Sequence, residues 1–396
     1  MTVVFLSLFF LLSRILLLLF RFQNYYPTYP SEDLPFGTLS KELIEGLKLP
    51  FLEYAVNHYH GGAFVYGVLT VPFFLLFGKN VFALRLTALF FQYGAFILWY
   101  LFIKRFFGKK AALYTALLYL CSPPWLTLYA MFANGCHPES LFFTILGLFL
   151  LYKILYEKNN SLRNSVLLGL VCGFGTYFTY GVLVSTVSFM LFWIHEDYQV
   201  LRKKEGLFFP LSFLIGFSPW VVYNSLHQFH GMDVFKSPYE PQLVMIPFRF
   251  LKLATFKILA MLSFNYRETP HLYKPHITFL NALYYAAVLF SYGILYQFER
   301  NNKKTRFFFF FPLLYLAVAS MSPFLSETYF PRYLVPLFPF FFAVIALGLS
   351  RLGSLSRNLQ RVSVLILVLL LAMGVKGELN LVALKDFKLC LRYRGY

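Results

Sequence analysis

The chain has 396 residues, of which 59% are apolar, 21% aromatic and only 13% charged. A water-soluble domain is about half apolar and about a quarter charged, so 51 Phe with this little charge exclude a soluble globule and specify a polytopic membrane protein. Lys and Arg outnumber Asp and Glu 35 to 17, but the excess sits in short gaps between apolar runs, which excludes a nucleic-acid surface and reads as a topology signal.

The first apolar run, 3–22, has no basic leader and no small-residue cleavage site before Gln23-Asn24-Tyr25-Tyr26-Pro27, and reads as a retained signal anchor. Further runs long enough to span are 80–103, 111–128, 139–156, 206–226, 278–298, 306–323, 331–350 and 361–376. The stretch 164–194 is long and interrupted at Gly173, Gly175 and Gly181, while 63–78 is short for a crossing. Basic clusters follow at Lys104/Arg105/Lys109/Lys110, Lys153/Lys158/Arg163, Arg202/Lys203/Lys204, Arg300/Lys303/Lys304/Arg306 and Arg351/Arg357/Arg361, together 17 of the 35 basic residues.

If all five clusters are cytoplasmic, an even number of crossings separates each from the next. The stretch 164–194 must then be two short helices hinged near Thr176–Thr179. The run 63–78 must not span, and reads as a juxtamembrane or re-entrant helix closing a long first outer loop, 23–79. The fold expected is an all-α membrane helix bundle of about eleven spans, with juxtamembrane helices in that loop. A membrane domain covers 1–376, a second large outer loop 227–277, and a short outer tail 377–396. The N-terminus is expected in the cytoplasm and the chain in the plasma (inner) membrane.

On this map the unusual residues gather outside. Glu32-Asp33 follows the first span at the membrane surface, where two adjacent carboxylates suit a general base or a metal ligand, or a solvated acidic loop. Asn57-His58-Tyr59-His60-Gly61-Gly62 precedes the 63–78 helix, and suits sugar or phosphate recognition or plain polar surface. Ser122-Pro123-Pro124-Trp125 breaks the third span. In Asn134-Gly135-Cys136-His137-Pro138-Glu139, Pro138 fits a first helical turn, which leaves Glu139 at an outer helix N-terminus as a functional carboxylate or a helix cap. Arg332, in Pro331-Arg332-Tyr333, opens a span on the side where basic residues are scarce; it matches a phosphate geometrically or snorkels. Arg14 lies inside the first span with no partner evident in the sequence and receives no role. The four cysteines show no metal or disulfide spacing, and no P-loop, dinucleotide fingerprint, D-x-D, nucleophile elbow or H-E-x-x-H is present. An enzyme so built takes its activated donor from the bilayer.

The order of features resembles the C-type (GT-C) membrane glycosyltransferases, in particular the bacterial dolichyl-phosphate-mannose-protein mannosyltransferase and lipid A aminoarabinose transferase group. The resemblance runs over about residues 20–350. It is carried by Glu32-Asp33 before Gly37-Thr38-Leu39, His58-Tyr59-His60-Gly61-Gly62, Ala83-Leu84-Arg85-Leu86, Arg105-Phe106-Phe107-Gly108-Lys109-Lys110, Ser122-Pro123, Gly216-Phe217-Ser218-Pro219-Trp220 and Arg332-Tyr333-Leu334-Val335-Pro336.

The resemblance implies Asp33 or Glu32 as catalytic base, Glu139 as a second acid, and Arg332 as a donor-phosphate contact, with His58, His60, His137 and Tyr333 as further substrate-binding candidates. Where the family commonly has Arg-x-x-x-Asp, this chain departs with Asn134 and His137. The implied activity is transfer of a sugar from a polyprenyl-phosphate donor to a glycolipid, cell-envelope glycan or protein at the outer face, by one inverting displacement. No cofactor is expected and no metal is predicted. The rival is a lipid-linked glycan flippase without chemistry, favoured by the glycine-broken stretch 164–194; a glycan polymerase or ligase ranks last.

Overall fold

The computed structural model describes residues 2–20, 34–50, 53–56, 59–60, 62–132, 137–157, 160–229, 232, 243–264, 266–268, 273–275, 277–322 and 331–383. The described chain is a helix bundle with two short antiparallel ribbons, β1 (Ala55–Val56) with β2 (Tyr59–His60) and β3 (Tyr266–Glu268) with β4 (Tyr273–Pro275). The helices are α1 (Thr2–Phe20), α2 (Leu34–Glu45), α3 (Gly62–Phe77), α4 (Val81–Phe107), α5 (Lys109–Leu120), α6 (Pro124–Ala130), α7 (His137–Tyr152) and α8 (Ser161–Phe178). They continue with α9 (Gly181–Glu196), α10 (Lys204–Leu226), α11 (Ile246–Lys252), α12 (Ile258–Met261), α13 (Phe279–Glu299) and α14 (Lys303–Ser320). After the 3-10 helix Pro331–Leu337 come α15 (Phe338–Leu355) and α16 (Arg357–Ala383).

Each apolar run is helical because a span in lipid must satisfy its backbone internally. Starts are marked by caps: Asn80 accepts from the Ala83 N–H at 2.9 Å, and Thr278 with Asn281 forms a capping box on α13. Gly108, at φ 95°, turns α4 directly into α5, a conformation that favours glycine. Among the described residues seven helices are long and apolar enough to cross a membrane. The four other stretches expected to cross, α5 with α6, α8, α9 and α14, are helical too, but shorter or less apolar.

The five basic turns share one end of the bundle. Arg105 Nε lies 2.5 Å from Glu157 Oε1, joining the α4–α5 and α7–α8 turns, and Ser161 donates to Glu205 at the start of α10 at 2.5 Å. The Tyr152 and Tyr156 hydroxyls donate to the carbonyls of Lys304 and Lys303 at 2.6 and 2.7 Å. Arg306 reaches Glu196 and Arg351 reaches Glu299, each at 3.5 Å, bringing in the α9–α10 and α15–α16 turns. The common face inferred from charge parity is thus a physical face held by ion pairs.

At the other end, α3 meets α4 through Tyr66 O–H donating to the Leu84 carbonyl at 3.0 Å and through Thr70 Oγ1 2.8 Å from Thr87 Oγ1. Both contacts fall on the first two turns of α4, whereas an antiparallel hairpin would pair Tyr66 with the middle of that helix. So α3 packs obliquely on the start of α4. It also packs on α2, where Ser40 donates to the Gly67 carbonyl at 2.8 Å.

The stretch 164–194 is two helices broken at Thr179 and Tyr180, but Gly173 and Gly175 do not interrupt it. A Cβ on Gly173 would lie 2.1 Å from the Phe213 carbonyl oxygen, and one on Gly216 would lie 2.5 Å from that of Leu170. These glycines bring the backbones of α8 and α10 into contact, as small residues do between membrane helices. Elsewhere the core is aromatic: Phe311 stacks on Phe340 with centroids 4.2 Å apart, and on Phe307 at 5.0 Å.

Candidate functional site

The described candidate residues lie at the bundle end opposite the basic turns. The sequence breaks its helices there with proline. Pro124 starts α6, Pro138 is the second residue of α7, and the 3-10 helix opens with Pro331. Glu139 follows in the first turn of α7 with its side chain fully buried, where the helix dipole favours a carboxylate. Two residues before it, His137 is buried as well.

The His137 imidazole packs edge-on between two tyrosines, 5.6 Å from the Tyr129 centroid and 5.3 Å from that of Tyr333. The Tyr333 carbonyl accepts from the Tyr315 hydroxyl at 2.6 Å, which fastens the 3-10 helix to α14. The Arg332 guanidinium sits 5.3 Å over the Tyr333 ring and is 3.4 Å from its hydroxyl. His137, Arg332 and Tyr333, nearly two hundred positions apart in the chain, therefore form one cluster. Glu139 shares its helical turn.

The structure adds two residues to which sequence reading gave no role. Arg85, in the second turn of α4, is fully buried with its guanidinium 4.1 Å over the Phe132 ring. An arginine at the outer start of an apolar helix runs against the positive-inside pattern, and that signal could have marked it. Tyr129, whose ring packs tilted against Trp125 at 4.6 Å, carries no such signal in an aromatic-rich sequence.

Asp33, Glu32 and His58 lie outside the described residues. His60 is in β2, paired with Ala55. Three other acids of the stretch 34–60 are engaged with neighbours. Glu42 accepts from the Tyr54 hydroxyl, Lys79 lies 2.5 Å from Glu45, and Glu53 lies 2.8 Å from His227. The Lys79 ammonium donating to it holds the Glu45 carboxyl below its ordinary range. Among the described residues no group of three or more His, Cys, Asp or Glu gathers.

An apolar cavity of about 650 Å³ lies between α13 and α14. Tyr285, Tyr292 and Leu313 line its length. One end reaches Arg300 and Arg306 at a basic turn, and the other reaches Ile258 and Phe341, on elements next to the 3-10 helix. A smaller cavity, about 280 Å³, lies among Arg105, Lys153, Glu157 and Arg163 and holds none of the candidate residues.

Residues 62–223 match the profile of the dolichyl-phosphate-mannose-protein mannosyltransferase family. The architecture is similar to that of ArnT from Cupriavidus metallidurans, with 14% identity, covering 95% of this chain and 76% of that one; the TM-score is 0.63 for its apo state and 0.64 for its complex with undecaprenyl phosphate. The chain shares the fold of that membrane protein. A more distant likeness is to the oligosaccharyltransferase AglB of Archaeoglobus fulgidus in complex with an inhibitory peptide and a dolichol-phosphate, at 14% identity and TM-score 0.50, covering 95% of this chain and 55% of that one. Comparison with curated protein sequences gives no match.

Proposed function

We propose that the chain transfers a sugar from a polyprenyl-phosphate donor to an acceptor hydroxyl at the outer face of the membrane. The observation that carries this reading is the cluster of His137, Arg332 and Tyr333 beside the buried Glu139, at the end away from the basic turns. That end faces outward by the positive-inside rule. The family profile over residues 62–223 supports it, as do the polyprenyl phosphates bound to two proteins of similar fold.

In this reading the isoprenoid tail lies in the cavity between α13 and α14 and the phosphate rests on the Arg332 fork. The acceptor oxygen attacks the anomeric carbon in line with the phosphate oxygen. As the new glycosidic bond forms, the carbon–oxygen bond to phosphate breaks and its electron pair leaves with polyprenyl phosphate. Asp33, or Glu32 beside it, takes the acceptor proton, and Arg332 compensates the charge that develops on the leaving phosphate. Glu139 holds the sugar by accepting from its hydroxyls. One displacement inverts the anomeric centre.

The test is sugar transfer by reconstituted protein, with a panel of labelled polyprenyl-phosphate sugars and a membrane-lipid extract as acceptor. Asp33→Asn is expected to lower turnover by on the order of 10²-fold or more with donor binding kept. If wild type releases no polyprenyl phosphate from any donor yet moves labelled lipid between leaflets, the flippase replaces the transferase. The feature that favoured transport has meanwhile a packing explanation, since Gly173 and Gly216 seat α8 against α10.

A further inference from the structure

Arg14 is buried in the middle of α1, and its partner is at the far end of the chain. Its guanidinium lies 3.3 Å from Glu378 Oε1 on α16 and 5.2 Å over the Phe10 ring. It also donates to the Leu120 carbonyl at 3.2 Å. Leu120 is the last residue of α5, and the residue that would normally donate to its carbonyl four positions on is Pro124, which has no N–H. Arg14 supplies that missing donor.

The Glu378 carboxylate in turn accepts from the Thr127 hydroxyl on α6, while its second oxygen is buried with no hydrogen-bond partner among the described residues. Two charges thus hold both sides of the α5–α6 elbow. The last helix lies directly against that elbow. A Cβ on Gly374 would be 1.8 Å from the Cys121 carbonyl oxygen, and one on Gly377 would be 2.7 Å from Pro124. Three residues after Pro124, Thr127 faces Glu378, and two further on Tyr129 meets His137 at 5.6 Å.

Burying an ion pair at membrane depth is costly, and well-packed apolar residues would join the helices as firmly. We propose that Arg14 and Glu378 are positioning residues: they fix the proline elbow so that α6 holds Tyr129 against His137, and thereby set the cluster that receives the donor phosphate. The inference rests on the transferase reading for its effect on turnover, but not for its effect on the elbow.

The experiment uses the full chain in nanodiscs and three variants, Glu378→Gln, Arg14→Lys and the apolar pair Arg14→Met with Glu378→Leu. Hydrogen exchange over 121–132 is read beside kcat, donor KM and thermal stability. Glu378→Gln is expected to raise exchange in that segment about tenfold, with α8 and α10 unchanged, and to lower kcat on the order of 10-fold while raising the donor KM by a similar factor. Arg14→Lys keeps the charge and one donor, and is expected to retain most of kcat.

The apolar pair separates positioning from mere support. It is expected to keep thermal stability, as apolar replacements of buried ion pairs do, and still lose kcat, because the Leu120 carbonyl and Thr127 lose their partners. An apolar pair with wild-type kcat overturns the proposal, as does unchanged exchange over 121–132 in Glu378→Gln. If wild type turns over no donor, the transferase reading fails, and the exchange data alone decide whether the pair fixes the elbow.

Discussion

The His137 imidazole and the Tyr333 ring meet edge to face with centroids 5.3 Å apart, so the start of α7 packs directly on the 3-10 helix carrying Arg332. Arg332 is thereby held by its neighbour rather than by its own long side chain. A guanidinium fixed this way presents two parallel donors to a phosphate, and lysine presents a point charge. Arg332→Lys is expected to raise the donor KM about tenfold with kcat within about threefold, and Arg332→Gln to lower kcat/KM by on the order of 10²-fold or more. Steady-state kinetics on reconstituted protein check both, and equal donor affinity in wild type and Arg332→Gln would place the phosphate elsewhere.

Glu139 offers a sharper test because its isostere is tolerated by packing. The side chain is fully buried in the first turn of α7. An amide of the same shape keeps the packing of the carboxylate and one acceptor oxygen, removes the desolvation cost of the charge and gives up the charge's own interactions, the helix dipole among them. Glu139→Gln is therefore expected to melt within a few degrees of wild type, yet to lose turnover by on the order of 10²-fold. Full turnover in Glu139→Gln would make the residue a helix cap and no more.

The bundle was legible because charge parity is a global constraint: Lys104 to Arg361 fall in five gaps, and those gaps form one face tied by Arg105–Glu157 and Arg306–Glu196. The same parity argues that α3 does not span. Pairing was not legible. Nothing near Arg14 in sequence announces Glu378, since a span's partner is chosen by three-dimensional packing. The glycines of α8 were misread for a related reason. Gly173 looks like a helix breaker in one dimension, but between two helices it is the residue that lets backbones touch. Of the site, Glu139, His137, Arg332 and Tyr333 stood out by position, whereas Arg85 was visible only as part of a motif.

The loop that carries Glu53 and the end of α10 are joined by a contact that titrates. His227 Nδ1 faces the Tyr223 carbonyl at 2.7 Å and Nε2 faces Glu53 Oε1 at 2.8 Å. Both neighbours are acceptors, so only the doubly protonated ring satisfies both, and the Tyr223 carbonyl foremost, with Glu53, raises the His227 pKa above its ordinary value. A raised folded-state pKa means that the tie is complete below the unfolded value, about 6.5, and is lost as pH rises through the raised value. Limited proteolysis between His227 and the start of α11 in proteoliposomes is expected to accelerate across that window. In Glu53→Gln the acceleration should begin at lower pH. A cleavage rate independent of pH would mean that the tie does not restrain the loop.

The α8–α10 contact predicts opposite outcomes for two glycine-to-alanine changes. At Gly173 a methyl would lie 2.1 Å from the Phe213 carbonyl oxygen, which is backbone and cannot swing aside. The helices must separate, and overpacking of this kind costs about 1–3 kcal/mol. At Gly293, on α13, a Cβ meets nothing within 4 Å. Alanine there removes unfolded-state freedom, and is expected to stabilise by about 0.4–1 kcal/mol. Thermal unfolding in one detergent should therefore move Gly173→Ala down and Gly293→Ala slightly up. If Gly173→Ala is neutral, the backbones of α8 and α10 are not in contact, and the glycine-broken hinge that favours a transporter returns.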